Sequence, residues 1–504
     1  MRIGRRELAK ISATRLGLAL PLATVWFFFS EEFWIEFGLA VATVVVFVAI
    51  YSHFLRSDSL QLANFPNLPD KRKEVWKHIR PLAGFAFVLS AVNIAVSINL
   101  DSTLLRVVLG SLSALVTGGA FIDGALVFLD RERLWKILKE LSPEILLPYR
   151  GKLAKTHLMY WVTLLRSFPW PFVVVTDLRL SFELTVSHSN FPIVFSTNSC
   201  DISRMFAFGP KVALYSHNAF SNNAFLKRKK VTHVFLGHGE SDKPGSASDL
   251  IKRYDLVFAA GPANMRRLHA AGIEIPEERF RFVGRPQTAG IEFVSHPSVL
   301  PPNPIVLYTQ TWPRDDDVPH LSSIEFGDKI VAALLKRGAV VYFRPHAARR
   351  GRPEWSPYVK KTNALLEADH EKTGLAHRWG PPAIAHPLHE LMNMCDVLIS
   401  DVSGVVGDFI ATNKPYAVVG IDPIGRNYEG DFVERFKSQN FTAAPAAIIK
   451  GDLSNLDEAL DELFGPDIHF EDRLQTRELV LSGMDGKQAT KVFREALATL
   501  INKK

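Results

Sequence analysis

The stretch LISDVSGVVGDF, Leu398 to Phe409, begins as an apolar strand and continues through a polar turn into a helix. An uninterrupted apolar start is typical of a strand that is buried on both faces of a parallel sheet. Asp401, Ser403 and Gly404 follow at the turn, where polar and small residues often begin a helix. This strand, turn and helix predict an α/β fold built on a parallel sheet.

Similar units lie on both sides of this stretch. In the same lobe, strands are predicted at 305–311, 339–345, 397–400 and 416–420, with helices around 323–337, 387–395, 405–412 and 454–464. Earlier strands are predicted at 171–178, 191–197, 211–217, 232–238, 255–261 and 280–284. The Pro-rich stretch VSHPSVLPPNP, Val294 to Pro304, predicts a linker. We therefore expect two Rossmann-like lobes, 149–300 and 301–480, a C-terminal helix over 481–504, and ligands bound beyond the carboxyl ends of the strands.

Residues 1–140 have a different, strongly apolar pattern. A membrane-spanning helix needs roughly 20 mostly apolar residues, and four segments approach this length: Ile11 to Phe29, Phe37 to Leu55, Pro81 to Leu100 and Val107 to Leu129. Basic residues are concentrated in three places: before span one, in the loop between spans two and three, and after span four. The positive-inside rule then predicts a multi-pass protein of the cell membrane whose termini and catalytic domain are cytoplasmic. A cleaved signal peptide is the alternative for the first span.

Overall charge and cysteine content indicate which classes of binding partner to expect. The formal net charge is +7, and many Lys and Arg flank the apolar spans, which favours anionic lipid over nucleic acid. Cys200 and Cys395 have no metal-type or redox-type spacing, so both are expected to be reduced packing residues. The run Asp315 to Asp317 is interpreted as solvated, and no metal or cofactor is expected. Asp123 lies within span four, either as a polar site in the membrane or as an interfacial carboxylate.

Three groups of polar residues follow predicted strands. His238 lies between two glycines in FLGHGESDKPGS, where it is either an exposed functional imidazole or a structural turn residue. The segment YFRPHAARR places Arg344 and His346 around Pro345, which suits phosphate oxygens but also fits a solvated basic loop. In the third group, Ser403 is expected to donate to an anion at the helix N-terminus. The alternative is that Asp401 or Ser403 caps that helix.

Taken together, these segments resemble the CDP-glycerol glycerophosphotransferase family, which builds teichoic-acid-type polymers. The likeness spans roughly 225 to 425 and rests on the segment around His238, on VLYTQTWPRDDD, FRPH and LISDVSGVVGDFIATNKP, and on VGRPQTAG from Val283. The resemblance implies a GT-B fold and a reaction in which an acceptor hydroxyl attacks the β-phosphorus of CDP-glycerol and releases CMP. It also implies a CDP-activated polyol donor, a lipid-linked acceptor and the membrane as partners, with no nucleic acid.

The same resemblance implies roles for individual residues. His238 matches the position of the base, and His346 with Arg344 would bind or neutralise the donor diphosphate. The remaining expected donor-site residues lie on the second lobe: Ser403 as a phosphate donor, Asp401 and Asp408 as orienting or nucleotide-contacting groups, Gly404, and Thr311 at a cleft-facing turn. Departures from the family pattern are Glu240, Ala347, Val402 and Gly404, which put the donor in question. Two alternatives are a GT-B glycosyltransferase that uses a nucleotide sugar and a non-catalytic envelope-assembly protein that retains the fold.

Overall fold

A computed structural model describes residues 60–65, 129, 131–150, 158–187, 189–237, 241–242, 248–311, 321–346, 356–422 and 428–503. The four predicted membrane spans lie outside these ranges except for Leu129, and so do His238 and Asp315 to Asp317. Within the described ranges, no helix is both long enough and apolar enough to cross a membrane. The chain divides into two compact units, Met1–Leu141 with Val194–Asp201, and Ser142–Ile193 with Ile202–Lys504.

The smaller unit contains the short strand β1 (Gln61–Ala63) and a helix over residues 131–141. This helix is amphipathic: Leu134, Trp135, Ile137 and Leu138 are buried on one side, which is the spacing that places side chains on one helical face. At its start, Arg131 forms an ion pair with Asp201.

The first lobe of the larger unit is built on parallel strands. These are β2 (Ile145–Pro148), β3 (Phe172–Thr176), β5 (Val212–Tyr215), β6 (Thr232–Phe235), β7 (Leu256–Ala259) and β8 (Phe280–Phe282), in the order β3-β2-β5-β6-β7-β8. Strand β4 (Ile193–Phe195) lies at the division between the units. The helices are Met159–Leu165, Arg179–Val186, Ser199–Ala207, Asn223–Leu226 and Pro262–Ala270. Strands β2, β3 and β5 are buried along their whole length, as expected for a sheet covered on both faces.

The second lobe is a five-stranded parallel sheet. Its strands are β9 (Ile305–Gln310), β10 (Val340–Pro345), β11 (Val397–Asp401), β12 (Tyr416–Gly420) and β13 (Ala447–Lys450), in the order β10-β9-β11-β12-β13. The helices are Gly327–Lys336, Ser356–Thr373, Gly380–Ala385, Leu388–Met394, Gly404–Phe409, Phe432–Gln439, Leu456–Phe464, Phe470–Leu481 and Gly486–Ile501. The two parallel sheets confirm the predicted α/β class and its GT-B-like pair of Rossmann-like lobes.

The end of the chain returns to the first lobe. Phe493, on the last helix, stacks on Trp161 with 5.3 Å between ring centroids. Gly486, which begins this helix, packs so closely that a Cβ there would lie 2.0 Å from the backbone nitrogen of Ala289. Ser482 donates a 3.0 Å hydrogen bond to the carbonyl oxygen of Ala260. These contacts join the two lobes.

Candidate active site

The second sheet reverses its winding direction between β9 and β11, which are neighbours in the sheet. Ligands of open α/β sheets bind at such a switch point, beyond the carboxyl ends of the strands. Thr311 follows β9 and Asp401 ends β11, so both lie at this point. The backbone N–H groups of Thr311 and Ser323 donate to Asp401 Oδ2 over 2.7 and 3.1 Å. Asp401, which is fully buried, therefore fixes the two backbone segments that border the crevice.

A row of hydroxyl groups connects the same two strands. Thr309 Oγ1 donates to Ser400 Oγ over 2.8 Å, and Ser400 Oγ lies 3.1 Å from Ser403 Oγ. Ser403 Oγ accepts from the backbone N–H of Val405 over 3.3 Å, so this serine caps the helix that begins at Gly404. That helix has six residues. The structure therefore shows the capping alternative, with the Ser403 hydroxyl two residues beyond the carboxyl end of β11.

Arg344 and His346 reach the same edge from the neighbouring strand β10. Arg344 pairs with Thr309 in the parallel register, and Pro345 pairs with Gln310. Arg344 Nη1 donates to the carbonyl oxygens of Ala383 at 3.2 Å and of His386. Burial lowers the pKa of its guanidinium group, whereas the nearby Tyr160 of the first lobe raises that pKa by a smaller amount. A half-buried Arg side chain held by two carbonyls is preorganised to bind phosphate oxygens.

Asp408 faces the first lobe. Its carboxylate forms an ion pair with Arg285, which lies in the VGRPQTAG segment, and Arg285 Nη2 lies 3.2 Å from Asp408 Oδ2. Arg285 is only 8% exposed. Asp408 therefore joins the lobes through this pair.

The residue that precedes His238 is anchored. Gly237 has a φ of +65°, in the left-handed region that glycine adopts without strain. Its carbonyl oxygen accepts a 2.7 Å hydrogen bond from Trp161 Nε1. Trp161 is itself buried and stacked on Phe493. The backbone position of Gly237, directly before His238 in the sequence, is therefore fixed.

We expect Trp161→Phe to lower kcat about fivefold, because it removes this hydrogen bond while an aromatic ring can still stack on Phe493. The loss of one positioning contact of this kind is worth about 1 kcal/mol. The measurement is steady-state turnover with circular dichroism of the folded protein. Phe168→Leu, on a second ring stacked against Phe493, is the control and should leave kcat within about twofold. Equal losses in both variants would contradict the anchoring role.

The first sheet has a switch point of its own, between β2 and β5, and its residues escaped the sequence analysis. Tyr149 follows β2 and His217 follows β5, and their rings meet edge to face with centroids 5.0 Å apart. Arg150 pairs with Asp177, which follows β3, with 2.5 Å between Nε and Oδ1. Burial raises the pKa of Asp177, and Arg150 opposes that rise. A polar residue directly after each apolar run was the signal that could have identified this group.

Six of the expected site residues lie at one edge of the second sheet: Thr311, Asp401, Ser403, Gly404, Arg344 and His346. Asp408 points instead to Arg285, and His238 lies outside the described residues. Within those residues, no group of three or more His, Cys, Asp or Glu side chains is placed to hold a metal ion. Cys395 packs in the core, and burial raises the pKa of its thiol to about 12. Cys200 is exposed, so the expectation that it is a packing residue is wrong.

Comparison with known proteins identifies the second lobe. Residues 295–497 match the sequence model of the family CDP-glycerol:poly(glycerophosphate) glycerophosphotransferase. This segment is similar to that family. The match confirms the resemblance seen in the motifs and the prediction of a glycerophosphotransferase-like enzyme. No curated protein in the comparison matches the chain.

Solved structures similar to this glycerophosphotransferase-like chain include three groups of proteins. The wall teichoic acid polymerase TagF is 14% identical, with 74% of this chain and 95% of TagF covered and a TM-score of 0.42. Anabaena HepE in complex with UDP and glucose is 11% identical, with 70% and 99% covered and a TM-score of 0.41. A UDP-N-acetylglucosamine 2-epimerase is 11% identical, with 72% and 97% covered and a TM-score of 0.42.

Proposed function

We propose that the chain transfers glycerol phosphate, or a related polyol phosphate, from a CDP-activated donor to a hydroxyl of a lipid-linked acceptor in cell-envelope polymer synthesis. The observation that carries the proposal is the family match of residues 295–497, over which Asp401, Ser403 and Arg344 surround the switch point of the second sheet. The chemistry of that edge, with an Arg fork, hydroxyl donors and an imidazole, suits a diphosphate.

In the proposed reaction, the acceptor oxygen forms a bond to the β-phosphorus of the donor. The bond from that phosphorus to the bridging oxygen breaks, and its electron pair leaves with CMP. His238 takes the proton of the attacking hydroxyl. Arg344 and His346 offset the charge that develops on the diphosphate oxygens, while Asp401 keeps the crevice in shape through Thr311 and Ser323. Phosphoryl transfer of this kind depends mainly on positioning and charge stabilisation.

The acceptor side of the proposal uses the first lobe. Its switch point presents the Arg150–Asp177 pair and the ring of His217, which offer donors and acceptors for a polyol hydroxyl. The predicted membrane spans in residues 1–140 would keep this lobe near a lipid-linked acceptor and raise its effective concentration. The proposed location is the cytoplasmic face of the cell membrane, where nucleotide-activated donors are made.

The test is to incubate the purified full chain with CDP-glycerol and micelles that carry a lipid-linked glycerol phosphate acceptor. We expect release of CMP in step with acceptor extension. Parallel reactions with UDP- and GDP-sugars test for glycosyl transfer, in which UDP or GDP would be released. Release of UDP or GDP without CMP would overturn the proposed donor class.

We expect Arg344→Lys to reduce kcat/KM for the donor about a hundredfold, because Lys cannot hold two carbonyls and still present a forked pair of donors to phosphate. Arg337→Lys is the matched control. Arg337 pairs on the surface with Asp457 and Asp461 at 2.9 Å, and pairs of this kind contribute little. The measurement is CMP release over a range of donor concentrations. A similar decrease in both variants would argue against a donor contact by Arg344.

A further inference from the structure

A basic cavity of about 750 Å³ lies at the amino ends of strands β6, β7 and β8. Lys229 precedes β6, Asp255 precedes β7 and Arg279 precedes β8. Because these strands are parallel, their amino ends lie at the edge opposite to the one that borders the cleft. The cavity is therefore separate from the site of transfer described above.

Positive charge dominates this cavity. Its lining contains five cationic side chains and one carboxylate, with an amide and an apolar residue: Lys227, Lys229, Lys252, Arg253, Arg279, Asp255, Asn223 and Leu226. Asp255 Oδ2 already accepts a 2.8 Å hydrogen bond from the backbone N–H of His233. Lys252 pairs with Asp249 at 2.9 Å. Clustered like charges repel one another, so a bound anion would reduce the electrostatic repulsion among these side chains.

The two arginines are held in place by neighbouring groups. Arg279 Nε and Nη2 donate to the carbonyl oxygens of Asp255 and Lys252 over 3.2 and 3.0 Å. Arg253 Nη1 donates to Asn223 Oδ1 over 2.7 Å, and its guanidinium lies 5.1 Å from the ring centroid of Phe220. Fixing an Arg side chain before a ligand arrives reduces the entropy lost on binding.

We propose that this cavity is a second anion site that binds phosphate oxygens of a phosphodiester or phosphomonoester ligand, away from the transfer site. The preorganised Arg forks and the two exposed lysines, Lys227 and Lys229, provide the donors. A cavity of this volume lies within the range of about 300 to 1,000 Å³ that small-ligand sites occupy. Two sources carry this chemistry: glycerol phosphate units of a polymer and the headgroup of an anionic lipid. The site stands on its own geometry and does not depend on the proposed reaction.

The experiment measures binding to the full chain in neutral detergent. In one arm the probe is a soluble oligo(glycerol phosphate), and in the other it is phosphatidylglycerol in mixed micelles, with phosphatidylcholine as the neutral comparison. Hydrogen exchange locates the protected backbone. We expect at least one probe to protect peptides that cover 226–231, 251–255 and 278–280. The Lys227→Gln/Lys229→Gln variant should weaken that probe about tenfold.

The Lys487→Gln/Lys491→Gln variant is the control, since it removes the same charge from an exposed face of the last helix. Its affinity should stay within about twofold of the unmodified chain. Arg279→Gln gives a second readout, because it removes one of the fixed forks. The probe that binds and is weakened by the Lys227→Gln/Lys229→Gln variant shows whether the ligand is a glycerol phosphate polymer or a lipid headgroup. Absence of binding in both arms, or an equal loss of affinity in the Lys487→Gln/Lys491→Gln control, would overturn the proposal. CMP release, measured in parallel, tests the proposed reaction and not this site.

Discussion

Replacing Asp401 with alanine is expected to slow the proposed glycerol phosphate transfer about a hundredfold and to lower the free energy of unfolding by about 3 kcal/mol. Asp401 Oδ2 accepts from the backbone N–H groups of Thr311 and Ser323. Both residues are buried, so in the Asp401→Ala variant their backbone N–H groups would have neither the carboxylate nor water as a hydrogen-bond acceptor. An unsatisfied buried donor costs about 1 to 3 kcal/mol. The segments on either side of the crevice would also separate, and a displacement of about 1 Å can cost a hundredfold in rate.

Asp396→Ala is the matched control at the opposite edge of the same strand pair. Asp396 Oδ2 accepts one backbone N–H, from Ile305, over 2.7 Å. This bond lies at the amino ends of β9 and β11, away from the cleft. We expect Asp396→Ala to cost about 1 to 2 kcal/mol of stability and to retain most of its activity when assayed well below its Tm. Urea unfolding and CMP release measure the two effects. Full activity in Asp401→Ala, or equal loss in Asp396→Ala, would contradict the role given to Asp401.

The strands of the second lobe were predictable because their apolar runs are continuous. The predicted strand 416–420 coincides with β12, and the others differ from the observed strands by one residue at an end. In the first lobe, predicted strands ran too far into polar residues. The segment 232–238 ends as a strand at Phe235, where Gly237 turns the chain with a positive φ. Alternation of apolar residues cannot locate such an end, because the turn depends on backbone conformation.

Two strands of the two lobes, β2 and β13, were not predicted. Strand β2 spans Ile145–Pro148 and β13 spans Ala447–Lys450. Strand β2 is the centre of the first sheet and forms one side of its switch point. Without it, Arg150 and Asp177 could not be brought together from the sequence.

Contacts between distant segments were also beyond sequence reasoning. Arg285 and Asp408 are separated by 123 positions, and their ion pair exists only because the two lobes meet there. Thr311 and Asp401 are 90 positions apart. Both are candidate site residues in the sequence, Asp401 because it follows an apolar run and Thr311 because of the family resemblance. Their hydrogen bond, however, requires β9 and β11 to be neighbours, which depends on the strand order rather than on either motif.

The replacement His238→Gln is expected to reduce kcat about a thousandfold, the effect of removing a positioned general base. His238 lies outside the described residues, but the chain leads into it from Gly237, whose carbonyl oxygen is held by Trp161. Glutamine retains hydrogen-bonding capacity and cannot take the proton of the attacking hydroxyl. CMP release under single-turnover conditions measures the chemical step directly. An unchanged rate would remove His238 from the reaction.

His233→Gln provides the control, five residues earlier along the same segment. His233 is buried, with Nδ1 2.8 Å from Tyr215 Oη and Nε2 2.9 Å from the carbonyl oxygen of Arg228. Burial lowers its pKa from the model-peptide value of 6.5, so below that pH the unfolded chain takes up a proton more readily than the folded chain. The free energy of unfolding therefore decreases as the pH falls through this range, and His233→Gln should reduce that decrease while leaving the rate of the folded enzyme largely intact. Denaturant unfolding between pH 5 and 7.5, about the range in which histidine titrates, tests this. A thousandfold loss of turnover in both variants would show that disruption of the strand, rather than loss of a base, explains the effect at His238.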